Sequence, residues 1–105
     1  MIMINVTKDN FNKEVAEAKG LVVIDLWAPW CGPCRMLAPT LDELEREYPD
    51  VKFAKVNVDE EPELAREFKV QSIPFVAFVK DNVFLDMSVG YVPKDKLKRL
   101  VEEYR

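Results

Sequence analysis

Seven consecutive residues, Leu21-Val22-Val23-Ile24-Asp25-Leu26-Trp27, are apolar at both odd and even positions apart from one aspartate. A strand with two apolar faces has to be covered on both, which predicts a central strand of a parallel or mixed sheet. Periods alternate on either side of it. Met1 to Val6 predicts a short apolar strand, followed by a helix with Phe11, Val15 and Ala18 at helical spacing. Thr7 and Asp9 are its candidate caps and Gly20 its end. After the central strand a helix is predicted from near Cys31 to about Tyr48. Its stripe is Leu37, Leu41, Leu44 and Tyr48, and Pro39 stands inside it as a predicted kink.

The second half repeats the alternation. Val51 to Val58 predicts a strand, and Pro62 opens a short helix that turns Leu64, Ala65 and Phe68 inward. Pro74 to Val79 predicts another buried strand. Asp81-Asn82 makes a tight turn, because Asn tolerates a positive φ. Beyond it Val83, Leu85, Met87 and Val89 alternate with Phe84, Asp86 and Ser88, which predicts a strand with one wetter face. Pro93 opens a last helix with Leu97, Leu100, Val101 and Tyr104 on one side. The order is β-α-β-α-β-α-β-β-α, an α/β arrangement: a mixed five-stranded sheet flanked by four helices and closed by an antiparallel hairpin.

The 105 residues match one domain, 1–105. Nineteen acidic against fifteen basic residues give a formal charge of −4. With no basic run, the chain is a poor partner for nucleic acid or an anionic membrane. The start of the chain carries no basic leader, and the longest apolar runs are far too short to span a bilayer, so the expected location is the cytoplasm. Three glycines against seven prolines restrict the unfolded ensemble, and the charged content resembles that of thermophile proteins. We therefore expect a calorimetric midpoint for the oxidised form above the ~45–65 °C of ordinary domains; a midpoint within that range contradicts the expectation.

The absence of histidine changes the picture more than the charge does. It excludes imidazole bases, and two cysteines alone cannot complete a zinc site of the usual Cys/His kind. Cys31 and Cys34 therefore stand out. Spacing alone also suits a buried structural pair, or half of a metal site shared between chains. Their place, directly after a central strand and at the start of a helix, favours redox chemistry. Helix N-termini present unpaired N–H groups and the positive end of the macrodipole, and both favour thiolate, the reactive form of sulfur. Cys31, nearest those donors, is the expected attacking residue. Cys34, one turn deeper and expected to be the less accessible, resolves the mixed disulfide. Gly32-Pro33 allows a tight turn between them while limiting the freedom of the reduced loop.

Asp25 is the odd residue of the central strand. Burying an ionised carboxylate is costly, so its pKa is expected to rise until it can accept a proton near neutral pH. Its expected role is to take the Cys34 proton as Cys34 attacks.

Val23-Ile24-Asp25-Leu26-Trp27-Ala28-Pro29-Trp30-Cys31-Gly32-Pro33-Cys34-Arg35-Met36 resembles the active-site segment of the thioredoxin family. The likeness continues through Ala38-Pro39, Lys55 to Asp59, Ser72-Ile73-Pro74 and Val89-Gly90, and so covers essentially the whole chain. It implies the thioredoxin fold and a protein-disulfide reductase without a resident cofactor or metal. Such a carrier is recharged by a thioredoxin reductase that supplies flavin and NADPH, acts on disulfide-containing proteins, and is expected to be a monomer. The resemblance also implies that Lys55 tunes Asp25 and that the bond before Pro74 is cis. Trp30, Gly32, Pro33, Ile73, Pro74 and Gly90 would face substrate, with Trp30, Ile73, Pro74 and Gly90 as an apolar rim around Cys31. Trp27 is expected to support the core. Phe75 departs from the family's usual Thr and Asn82 from its usual Gly.

Overall fold

The computed structural model describes residues 3–105, so Met1 and Ile2 of the first predicted strand lie outside the described residues. Five strands form one sheet in the order β1-β3-β2-β4-β5: β1 Ile4–Asn5, β2 Leu21–Trp27, β3 Lys52–Asn57, β4 Phe75–Lys80 and β5 Val83–Val89. β1 and β2 run parallel to β3, whereas β4 is antiparallel to both β2 and β5. Three α-helices, α1 Gly32–Glu47, α2 Pro62–Glu67 and α3 Lys94–Tyr104, join one turn of π-helix at Asn12–Ala16 as the four helical segments. The fold class and element order are those expected.

The two-faced pattern of β2 is answered by a core on each side of the sheet. Leu21 and Val23 pack with Leu37, Leu41 and Leu44 of α1 and with Leu97 and Val101 of α3. Val22, Ile24 and Leu26 face Val15 of the π-helical turn and Leu64 of α2. Every residue of β2 from Leu21 to Leu26 is buried, Asp25 included. α1 continues through Pro39, which stands on its exposed side and has no N–H to give the Arg35 carbonyl.

Three expectations are corrected. The predicted first helix is a single π-helical turn without a side-chain cap. Thr7 and Asp9 instead belong to a turn closed by Asn10, whose Oδ1 accepts from the Thr7 N–H at 2.8 Å, while Thr7 Oγ1 accepts from the Asp9 N–H at 3.2 Å. Gly20, with φ +81°, ends the connection into β2 rather than the helix itself. Third, β5 is inside out. Ser88 is buried and Asp86 half-buried, while Val83, Phe84, Leu85, Met87 and Val89 are all exposed. The reason is a contact from α3: Asp86 Oδ2 accepts from the Tyr104 hydroxyl at 2.8 Å, so the polar face of the strand is the one with a helix over it. The hairpin leading into β5 turns as expected, with φ 54° at Asp81 and 63° at Asn82.

Candidate active site

Backbone chemistry places the two cysteines. β2 ends at Trp27, and the loop Ala28-Pro29-Trp30 delivers Cys31 to the N-cap of α1, with an extended φ of −87° and ψ of 108°. The Cys31 N–H reaches back to the Ala28 carbonyl at 3.1 Å, and its own carbonyl takes the Arg35 N–H at 3.2 Å. Pro33 occupies the first turn, where an α-helix has no donor to lose. Arg35 locks the loop from the helix side by donating to the Pro29 carbonyl at 2.8 Å, a contact the sequence did not reveal.

Cys31 and Cys34 are joined in a disulfide with Cα atoms 5.2 Å apart. The Cys34 N–H points at Cys31 Sγ at 3.2 Å, so the cap position hands the Cys31 sulfur a backbone donor. That same sulfur lies 3.9 Å from the Ile73 carbonyl oxygen. The expected contrast in accessibility between the cysteines is absent: Cys31 is 4% and Cys34 3% exposed. Ala28 is buried with the pair, and Val58 and Ile73 pack against it. Cap geometry, not exposure, distinguishes them.

The Ile73–Pro74 bond is cis. Ile73 is half-buried against the disulfide, and Pro74 is buried, so Pro74 lies beneath the rim rather than on it. Its carbonyl accepts from the Gly90 N–H at 2.8 Å, which brings the end of β5 beside the dithiol. Gly90 holds φ +87°, with open space where a Cβ would stand, so its requirement is conformational and not steric. Trp30 is 68% exposed and held by its indole N–H, which donates to Asp59 Oδ2 at 2.9 Å. Asp59 had no assigned part in the sequence reading, and only the fold carries it to Trp30, from the turn after β3. Gly32 and Pro33 form the first turn of α1 beside the cysteines.

Behind the disulfide, Asp25, Trp27, Cys34 and Lys55 line a cavity of about 300 Å³. Asp25 is 6% exposed and its Oδ1 has no hydrogen-bond partner. Burial raises its pKa to about 7, against the opposing pull of the Lys55 ammonium. Lys55 is the residue paired with Asp25 across the β2–β3 ladder, and its Nζ stands 5.5 Å from the Trp27 ring centroid. Trp27 is half-buried, packed against the cysteine cluster. The fold thus gathers Asp25, Lys55 and Cys34 in one cavity. Replacing Lys55 with Met removes the charge that favours the carboxylate, so the Asp25 midpoint is expected to move above 7. An NMR titration of the Asp25 carboxyl checks this, and an unmoved midpoint would show that the two are uncoupled.

A reversible dithiol at a helix N-terminus, backed by a buried carboxyl and faced by a cis-proline loop, defines a thiol–disulfide oxidoreductase. The comparisons agree. The thioredoxin profile matches residues 2–103. Thioredoxin 1 of Synechococcus elongatus is 45% identical over 100 residues, which is 94% of each chain. Thioredoxin of Bacillus subtilis is 43% identical over 105 residues, covering 99% of both. The chain belongs to the thioredoxin family, and its activity is protein-disulfide oxidoreduction. Among the described residues, no helix is long and apolar enough to cross a membrane.

Proposed function

We propose that the chain is a monomeric cytoplasmic electron carrier that reduces protein disulfides and is recharged by a thioredoxin reductase. The Cys31 thiolate attacks one sulfur of a substrate disulfide, and the first substrate thiolate leaves as the mixed disulfide forms. Asp25 takes the proton of Cys34, whose thiolate then attacks Cys31 Sγ and expels the second substrate thiolate. The Cys31–Cys34 disulfide so formed is returned to the dithiol by two electrons from NADPH, passed through the flavin of the reductase. The chain itself needs no resident cofactor.

The observation that carries this reading is the Cys34 N–H aimed at Cys31 Sγ, because the donor that meets a disulfide sulfur here also favours a thiolate there. A protein partner suits the surroundings, since Trp30, Met36 and Tyr91 are exposed beside the dithiol and the Gly90 turn. Insulin precipitation with dithiothreitol tests the activity, and turnover with a flavin-type thioredoxin reductase and NADPH tests the recharging partner. Acceleration in the first assay and NADPH consumption in the second are expected. Precipitation at the rate of dithiothreitol alone would exclude the reductant role.

A further inference from the structure

The exposed side of β5 has no use in the dithiol chemistry, yet among the described residues it carries the largest concentration of exposed apolar side chains. Val83, Phe84, Leu85, Met87 and Val89 are between 38% and 55% exposed along one strand, which sits at the edge of the sheet. Edge strands are normally blunted by charge or proline. The only charge in β5 is Asp86, and it is turned away and bonded to Tyr104.

The strand pairing shows how three of these side chains come to share a face. Val89 stands opposite Phe75 and Met87 opposite Ala77, and a bulge then sets Phe84, in place of Leu85, opposite Val79. Phe75, Ala77 and Val79 belong to the core on the α2 side of the sheet. Phe84, Met87 and Val89 therefore continue that apolar face past the edge of its helical cover. Together with Phe68, Phe75 and Ser72 they line a groove of about 310 Å³, with the Phe68 and Phe84 rings 6.1 Å apart. Its lining includes Ser72 and Val89, the chain neighbours of Ile73 and Gly90, and the Ile73 carbonyl oxygen lies 3.9 Å from Cys31 Sγ, so the groove runs up to the loop that faces the dithiol.

We infer that this groove takes an extended apolar segment of the protein substrate, flanking the cysteine that Cys31 attacks. The inference rests on the disulfide-reductase reading. Exchange places the partner's disulfide against Cys31, so the chain on one side of it is already at the mouth of the groove. From Val89 to Phe84 is about 17 Å of strand, the length of five or six extended residues. The unpaired backbone of the β5 edge favours an extended segment over a helix. Lys69 is the only charged residue lining this groove, and Glu67 stands beside it in the adjoining hollow near Phe11, so charge selects little and apolar side chains select most.

The test uses the reduced full chain in single turnover against two peptide disulfides. One carries five alternating Val and Phe residues on either side of its cysteine, the other Ser and Gly there. A small aromatic disulfide serves as control. The wild type is expected to react about tenfold faster with the apolar peptide, and Met87→Glu and Phe84→Ser to lose most of that preference. Both variants are expected to reduce the small disulfide at the wild-type rate, which shows that they are folded and that the dithiol is intact. A preference unchanged in both variants, or absent from the wild type, would overturn the inference while leaving the reductase reading in place. Concentration-dependent dimerisation abolished by Met87→Glu, with peptide preference unchanged, would give the groove to a second copy and also overturn it. Failure of the wild type on all three disulfides would instead remove the reading beneath.

Discussion

Cys31→Ser is expected to abolish disulfide reduction, and Cys34→Ser to leave a protein that attacks once and stalls as a mixed disulfide. The asymmetry comes from the N-cap of α1. Only Cys31 has a sulfur that meets a backbone N–H within the first turn, so only Cys31 has its thiolate favoured by a local donor and by the helix macrodipole. The two residues are equally buried in the disulfide, so shielding cannot be the source of the difference. Alkylation of the reduced protein at mildly acidic pH, read by peptide mass, is expected to label Cys31 first. Labelling of Cys34 first would reverse the roles.

Asp25→Ala is expected to stabilise the protein at pH 8 while slowing disulfide exchange. The carboxyl has a native pKa of about 7 against its ordinary 3.8, because burial penalises its charged form. Between those values the native protein holds a proton that the unfolded chain has released, so wild-type stability falls as pH rises from about 4 to about 7. Above that it is flat. The full gap corresponds to about 4 kcal/mol at alkaline pH, and the small void left by alanine brings the expected gain to roughly 2–4 kcal/mol. Below pH 4 the gain disappears, since both states are then protonated. Urea titrations of both proteins across this range check the slope. A variant less stable at pH 8 with unchanged exchange kinetics would make Asp25 purely structural.

Asp25 was legible in the sequence because one polar residue inside a two-faced apolar strand has few harmless explanations. The cysteines were legible because strand, loop and helix start are local features. β5 was not. Its alternation groups Met87 with Val89 and Asp86 with Ser88 correctly, but it carries no information on the bulge that moves Phe84 to the Met87 face, nor on which face meets a helix. Tyr104, 18 residues beyond Asp86, decides that by hydrogen bonding it. Asp59 escaped notice for a similar reason, since its partner Trp30 lies 29 residues away. The first helix was over-read because Phe11, Val15 and Ala18 satisfy a helical period, yet the segment has room for only one wide turn before Gly20 redirects the chain.

Trapping tests most directly whether Cys31 attacks and Cys34 resolves. Reduced Cys34→Ser protein is mixed with a disulfide protein, quenched in acid, digested without reduction and mapped by mass spectrometry. A stable adduct through Cys31 is expected, with no comparable adduct from Cys31→Ser. An adduct accumulating through Cys34 in the Cys31→Ser protein, and none through Cys31, would contradict the account.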